Sequence, residues 1–136
     1  MGHVYTDIII KNTKDVIDAR SGIINDSEIR QTAVQAMVDT GTGTLIINEA
    51  IQRELGLGIM EERYVTLADK TRKVCEITEP VEIHWKNRST TQRAVVLAGL
   101  EEVLLGVIPL EDMDLMVDPV RLELIGAHGD VVVCLV

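Results

Sequence analysis

Phenylalanine is absent from this chain, and its aromatic rings come from one tryptophan and two tyrosines. A core in 136 residues must therefore be built from Val, Ile and Leu, which favour strands. Basic charge is also short: 13 Lys and Arg stand against 22 Asp and Glu, a formal net charge of −9. That excludes a nucleic-acid binder, whose phosphate contacts need a basic patch. No apolar run approaches the ~20 residues of a membrane span. The first residues lack a basic region followed by a long apolar segment, so no secretory signal is evident and a cytoplasmic protein is expected. Two cysteines, Cys75 and Cys134, make no disulfide framework and cannot complete a structural zinc site. Both are expected as free, partly buried thiols. His3, His84 and His128 lie far apart, without metal-ligand spacing. No Gly-x-Ser-x-Gly elbow and no phosphate loop of the Gly-x-x-x-x-Gly-Lys type occur. Gly41-Thr42-Gly43 hints at a dinucleotide loop, but Ile46 stands where its third glycine belongs. No linker, repeat or low-complexity segment divides the chain, so residues 1–136 are expected to form one domain.

What is present is mostly strand. Residues 6–11 read as a strand ended by a turn at 12–15, and 16–19 as a short second strand. Residues 21–32 are polar and irregular, and 33–38 form an apolar strand. A short strand at 44–47 leads to Asn48, a good N-cap for a helix over 49–55, with Gly56 placed to end it. Residues 63–67 and 72–78 pair as a hairpin around a polar turn at 68–71. Val81, Ile83 and Trp85 alternate with Glu82, His84 and Lys86, a strand at period two in which His84 faces solvent. Residues 87–89 read as a turn and 91–98 as a strand. A short apolar strand at 103–106 precedes a helix over 108–114, with Pro109 in its first turn. Residues 121–125 form a strand, 126–130 a turn, and the apolar run 131–136 a closing strand. Such a strand at a sheet edge invites aggregation unless a second subunit covers it.

The stretch on which the rest converges is Ala36-Met37-Val38-Asp39-Thr40-Gly41. A core strand runs directly into an Asp-Thr-Gly turn and carries Asp39 to its mouth, where a lone carboxylate is costly without partners. Thr40 offers a hydroxyl donor, and Gly41 lets the backbone turn tightly and approach a ligand. The chain resembles the retropepsin-like, retroviral-type aspartic proteases, and the resemblance extends to three features in the family's order. The first is this turn. The second is the hairpin whose tip is Leu67, Ala68, Asp69, Lys70 and Thr71, similar to the flap that closes over a bound peptide. The third is Leu104-Leu105-Gly106 followed by a short helix, similar to the family's second signature, where the strand passes so close to the catalytic turn that only glycine fits. The departures are Thr42-Gly43 where many relatives have Ala-Ser or Ala-Thr, Lys70 where glycine is frequent at the flap tip, and Val107 where viral members often have arginine.

The resemblance implies a mainly β fold: a closed, single-lobed barrel of the acid-protease type with one or two short helices. It implies an aspartic endopeptidase acting on polypeptide substrates as a homodimer, with neither cofactor nor metal. Asp39 would be the catalytic residue, Thr40 would buttress the turn across the dimer, and Gly41 would line the cleft. An intact Asp-Thr-Gly favours the enzyme over the alternative on the same fold, a non-catalytic dimeric peptide-binding or scaffold module.

Overall fold

The structure, a computed structural model, describes residues 2–134 and 136. The strands among them are β1 (Val4–Asn12), β2 (Gln31–Val38), β3 (Leu45–Ile47), β4 (Ile59–Thr66), β5 (Arg72–Trp85), β6 (Arg88–Val96), β7 (Val103–Leu105), β8 (Leu115–Asp118) and β9 (Glu123–Gly126). The helices are α1 (Thr13–Arg20), α2 (Glu49–Glu54) and α3 (Val107–Asp112). The sheet order is β1-β2-β7-β3-β6-β5-β4, and β5 also pairs with β1, so the first six of these strands close a mixed barrel. Alternation along β1 turns Val4, Ile8 and Ile10 inward and Tyr5 and Ile9 outward. Ile8, Ile10, Leu45, Ile47, Ile83 and Leu105 fill the barrel as fully buried side chains, each contributing about 1.5–3 kcal/mol of transfer free energy. Among the described residues no helix is long and apolar enough to cross a membrane.

Strand β7 decides where the functional turn lies. It pairs in parallel with β2 (Met37 beside Leu104, Val38 beside Leu105) and antiparallel with β3 (Leu45 opposite Leu105). A segment from late in the chain is thus threaded between two strands that are neighbours in sequence. The loop joining β2 to β3, residues 39–44, must then cross the end of β7.

Strand β5 is longer than the sequence suggests. Residues 72–78 pair with β4 and residues 81–84 with β1, while β6 runs beside both parts. Pro80, between the two strands expected at 72–78 and from Val81, sits at a register shift of the β5–β6 ladder, where its missing N–H is tolerated. The turn expected at residues 87–89 is also tighter: Trp85 pairs with Arg88, leaving Lys86 and Asn87 as the loop. Arg88 is buried and donates to the carbonyls of Met113 (3.0 Å), Asp114 (3.0 Å) and Gly129 (2.9 Å). The guanidinium so ties the end of α3 to the 126–130 turn.

The segment 16–19 is not a strand but part of α1, a helix beyond the one or two expected. Its N-cap, Asn12, accepts from the Asp15 N–H at 3.2 Å and donates to the Leu55 carbonyl at 2.8 Å, joining the start of α1 to the end of α2. The expected cap of α2 is present: Asn48 accepts from the Ile51 N–H at 2.9 Å, and Gly56 takes the left-handed conformation, φ 61°. Cys75 is buried, whereas Cys134 is exposed rather than partly buried. Residues 131–134 form no strand. Val131, Val132 and Val133 are 65%, 44% and 37% exposed. The Val133 N–H is held at 3.0 Å by the Asp114 carboxylate. The expected closing strand also includes Leu135, which lies outside the described residues.

Asp15 is the buried acid of the α1 corner. The Arg30 guanidinium grips both its oxygens, at 2.8 and 3.0 Å, and the Arg30 N–H adds a third bond at 3.0 Å. This pairing with the Arg30 side chain holds the Asp15 carboxyl below its usual range. A depressed carboxyl stabilises the fold above its unfolded pKa, and that contribution is lost as pH falls through the folded value. Asp15→Asn should therefore cost about 1–2 kcal/mol at neutral pH, since the outer part of Arg30 is in water. Urea melts should show the gap between wild type and variant closing as the pH is lowered below about 4.

Candidate active site

Asp39 leaves β2 with its N–H bonded to the Leu105 carbonyl at 3.0 Å, so the end of β7 positions its backbone. Its side chain is half-buried and points back over its own turn. One carboxylate oxygen accepts from the Gly41 N–H at 3.0 Å, and the other from the Thr42 hydroxyl at 2.9 Å. The Thr42 N–H closes the turn onto the Asp39 carbonyl at 3.0 Å. The carboxylate that would be costly alone thus has a donor for each oxygen and a fixed rotamer. A Cβ on Gly41 would lie 3.3 Å from the nearer carboxylate oxygen and crowd it. Thr40 is exposed on the single chain.

Gly106 shows how tightly the turn is seated. A Cβ there would lie 2.4 Å from the Thr44 carbonyl oxygen, 2.5 Å from that of Thr42 and 2.7 Å from the Gly43 carbonyl carbon. All three are backbone atoms and cannot rotate away. The next two N–H groups complete the lock, Val107 to the Thr42 carbonyl at 2.8 Å and Ile108 to that of Gly43 at 2.9 Å. The loop that carries Asp39 rests on the backbone of residues 105–108, with Leu105 buried below it.

Above the turn a cleft of about 740 Å³ opens, lined by Asp39, Gly41 and Thr42 below and by Val65, Leu67 and Ala68 above. Leu104 lies on its wall. The hairpin tip is built as a tight turn. The Lys70 N–H donates to the Leu67 carbonyl and the Leu67 N–H to the Thr71 carbonyl, both at 2.9 Å. This is a three-residue loop with a left-handed third residue, and Lys70 takes that place with φ 67° where glycine is usual. Asp69 does not reach the cleft lining. It accepts from the Thr71 hydroxyl at 2.6 Å and the Thr71 N–H at 3.0 Å, bonds that hold its carboxyl below the usual range. Of the five tip residues, Leu67 and Ala68 thus face the cleft, while Asp69, Lys70 and Thr71 shape the turn.

Two residues at this site escape sequence reasoning. Thr42 reads there only as a departure from the family pattern; the usable signal is a hydroxyl three positions after an aspartate in a tight turn. Arg63, on β4, lines the cleft through pairing that brings it in from 24 positions away, and its local sequence carries no signal for that. Among the described residues no group of His, Cys, Asp and Glu is clustered so as to hold a metal ion.

A closed barrel with β7 threaded between β2 and β3, the Asp-Thr-Gly loop locked over a glycine and a hairpin above it, is retropepsin-like in fold. EIAV protease, solved with the inhibitor HBY-793, superposes over 82% of this chain and 88% of its own, with TM-score 0.54 and 21% identity. The retroviral protease-like domain of Ddi1 from Leishmania major superposes over 88% and 83%, with TM-score 0.53 and 15% identity. No protein-family profile matches the chain, and no curated protein matches it in sequence. At these identities the likeness is one of fold.

The two glycines near the turn make opposite demands. Gly106→Ala forces backbone apart and should destabilise by about 3 kcal/mol. At Gly43 the nearest atom to an added Cβ is the Ile108 side chain at 4.0 Å. Gly43→Ala should therefore fold within about 1 kcal/mol of wild type, with the smaller unfolded-state entropy of Ala in its favour. Denaturant midpoints of the two variants at unchanged m-value decide this.

Proposed function

We propose that the protein is an aspartic endopeptidase that works as a homodimer, each subunit supplying one Asp39. The observation that carries this is the placement of a single carboxylate, gripped by Gly41 and Thr42, on the floor of a cleft roofed by a hairpin. Peptide hydrolysis by carboxylates needs two of them. One removes a proton from the attacking water; the other gives a proton to the carbonyl oxygen. The tetrahedral diol then collapses as the amide nitrogen is protonated and the C–N bond breaks. This chain has one Asp-Thr-Gly and no Asp-Ser-Gly. A two-fold interface that joins the same patch on both subunits supplies the second carboxylate. Thr40, exposed at the rim of the turn, reaches across that axis to the opposite turn, and the exposed valines 131–133 fall under the partner's cover. The hairpin 67–71 closes over a bound peptide and excludes water.

Two facing carboxylates repel each other when both are charged, so the mechanism has one of the pair act as the base while the other donates the proton. Asp39→Asn should lower kcat by about 10³-fold or more without unfolding the protein. Thr42→Val, which removes the hydroxyl donor to one of the two Asp39 oxygens, should cost about tenfold. The decisive measurement is on mixed dimers: wild-type subunits combined with Asp39→Asn subunits should be almost inactive, because each site retains one competent carboxylate. Heterodimers with half the wild-type rate would remove the shared-dyad mechanism. Tight peptide binding with no cleavage at any pH would instead favour a binding module on this fold.

A further inference from the structure

We propose that the cleft selects peptides in which an aliphatic segment is accompanied by an acidic side chain, and that Arg63 is the residue that selects the acid. The inference rests on the cleft above Asp39 being a peptide-binding groove. Its walls are aliphatic: Ile46, Val65, Leu67, Val95, Leu104 and Ile108. Asp39 and Arg63 are the charged side chains on its lining. Arg63 pairs with Glu61 at 2.5 Å, and the same Glu61 oxygen takes the Arg93 guanidinium at 2.9 Å. Two guanidinium groups share one carboxylate, so the cluster carries one uncompensated positive charge.

The surroundings do not neutralise it. Arg63 stands opposite Cys75 and Val65 opposite Lys73 in the hairpin ladder, so Lys73 shares this inner face and adds charge of the same sign. Glu62 and Glu76 pair with each other on the outer face. In a chain of net charge −9 this wall is basic, opposite in sign to the molecule as a whole. The Arg63 side chain is 54% exposed, and its fork keeps N–H donors beyond those that Glu61 takes. A planar fork with spare donors is suited to a carboxylate in two-point contact. Asp39 repels an acid close to the scissile bond, so the acidic residue belongs further along the peptide, over β4. In a two-fold dimer the same preference recurs at the symmetry-related position on the other side of the bond.

The test uses matched synthetic peptides with a central aliphatic pair and a single Glu or Gln moved through the flanking positions. Two quantities are read: kcat/KM with the wild-type protein, and binding by fluorescence anisotropy to the Asp39→Asn protein. The expected result is a Glu-over-Gln preference of about fivefold at one symmetry-related pair of positions, in both measurements. Arg63→Gln should bring that ratio to about one, Arg63→Lys should keep part of it, and Arg63→Glu should invert it. Cleavage with no Glu–Gln difference, or a ratio that survives Arg63→Gln, overturns the inference and leaves proteolysis standing. A Glu preference in binding without wild-type cleavage upholds the inference and removes the proteolytic reading. Failure of every peptide to bind overturns both.

Discussion

Everything at the site depends on one steric constraint: a strand with no room for a side chain at its end lies beneath the loop that carries Asp39. Because β7 is inserted between β2 and β3, residues 39–44 must cross over Gly106 with backbone against backbone. The loop then has little freedom left. Its carbonyls at Thr42 and Gly43 are taken by the N–H groups of Val107 and Ile108, and the Asp39 N–H is taken by Leu105. What remains free is the carboxylate, and that is aimed by Gly41 and Thr42. Positioning a reacting group to within a fraction of an ångström demands such support from groups that are themselves immobile.

The periphery is held by polar anchors rather than by aromatic bulk, which the chain lacks. Arg88 serves three carbonyls from two segments, Asn12 joins two helix ends, and Asp15 with Arg30 closes the corner between α1 and β2. Trp85 is the exception, and its indole N–H is satisfied by Thr6 at 2.8 Å. Each of these contacts spans a distance in sequence that a loop alone would leave loose. Together they let a barrel of aliphatic residues keep one register without rings to fill its ends.

That distribution explains what sequence reading could reach. The Asp39 turn, Gly106 and the capped helix α2 are local patterns, in which residue type and spacing state the geometry within a few positions. The α1 helix was opaque because Val16 and Ile17 suit a strand equally well, and because its cap is stabilised by Leu55, 43 positions away. Arg88 looked like a turn residue because arginine is seldom buried, and its partners lie 25 to 41 positions later. The two strands expected at 72–78 and from Val81 are one, because the fold supplies the register shift that absorbs Pro80 between them. Arg63 carries no local signal: one more charge on a strand acquires meaning only when Glu61, Arg93 and the cleft wall are placed around it. The terminal valines read as a strand because their composition is that of one, but residues 131–134 join neither sheet.

The length of β5 has a mechanical consequence. The hairpin tip is not attached to the barrel by a slack tether; one of its two strands is the barrel wall itself, continued outward. Such an arrangement is a cantilever, stiff along its length and compliant only where the ladder is irregular. Both irregularities lie at its root, between Ile77 and Pro80 on one strand and between Ile59 and Glu61 on the other. Compliance is thus concentrated at the base, and beyond it the hairpin is one continuous ladder that holds Leu67, Ala68 and the Arg63 charge as a single unit above Asp39.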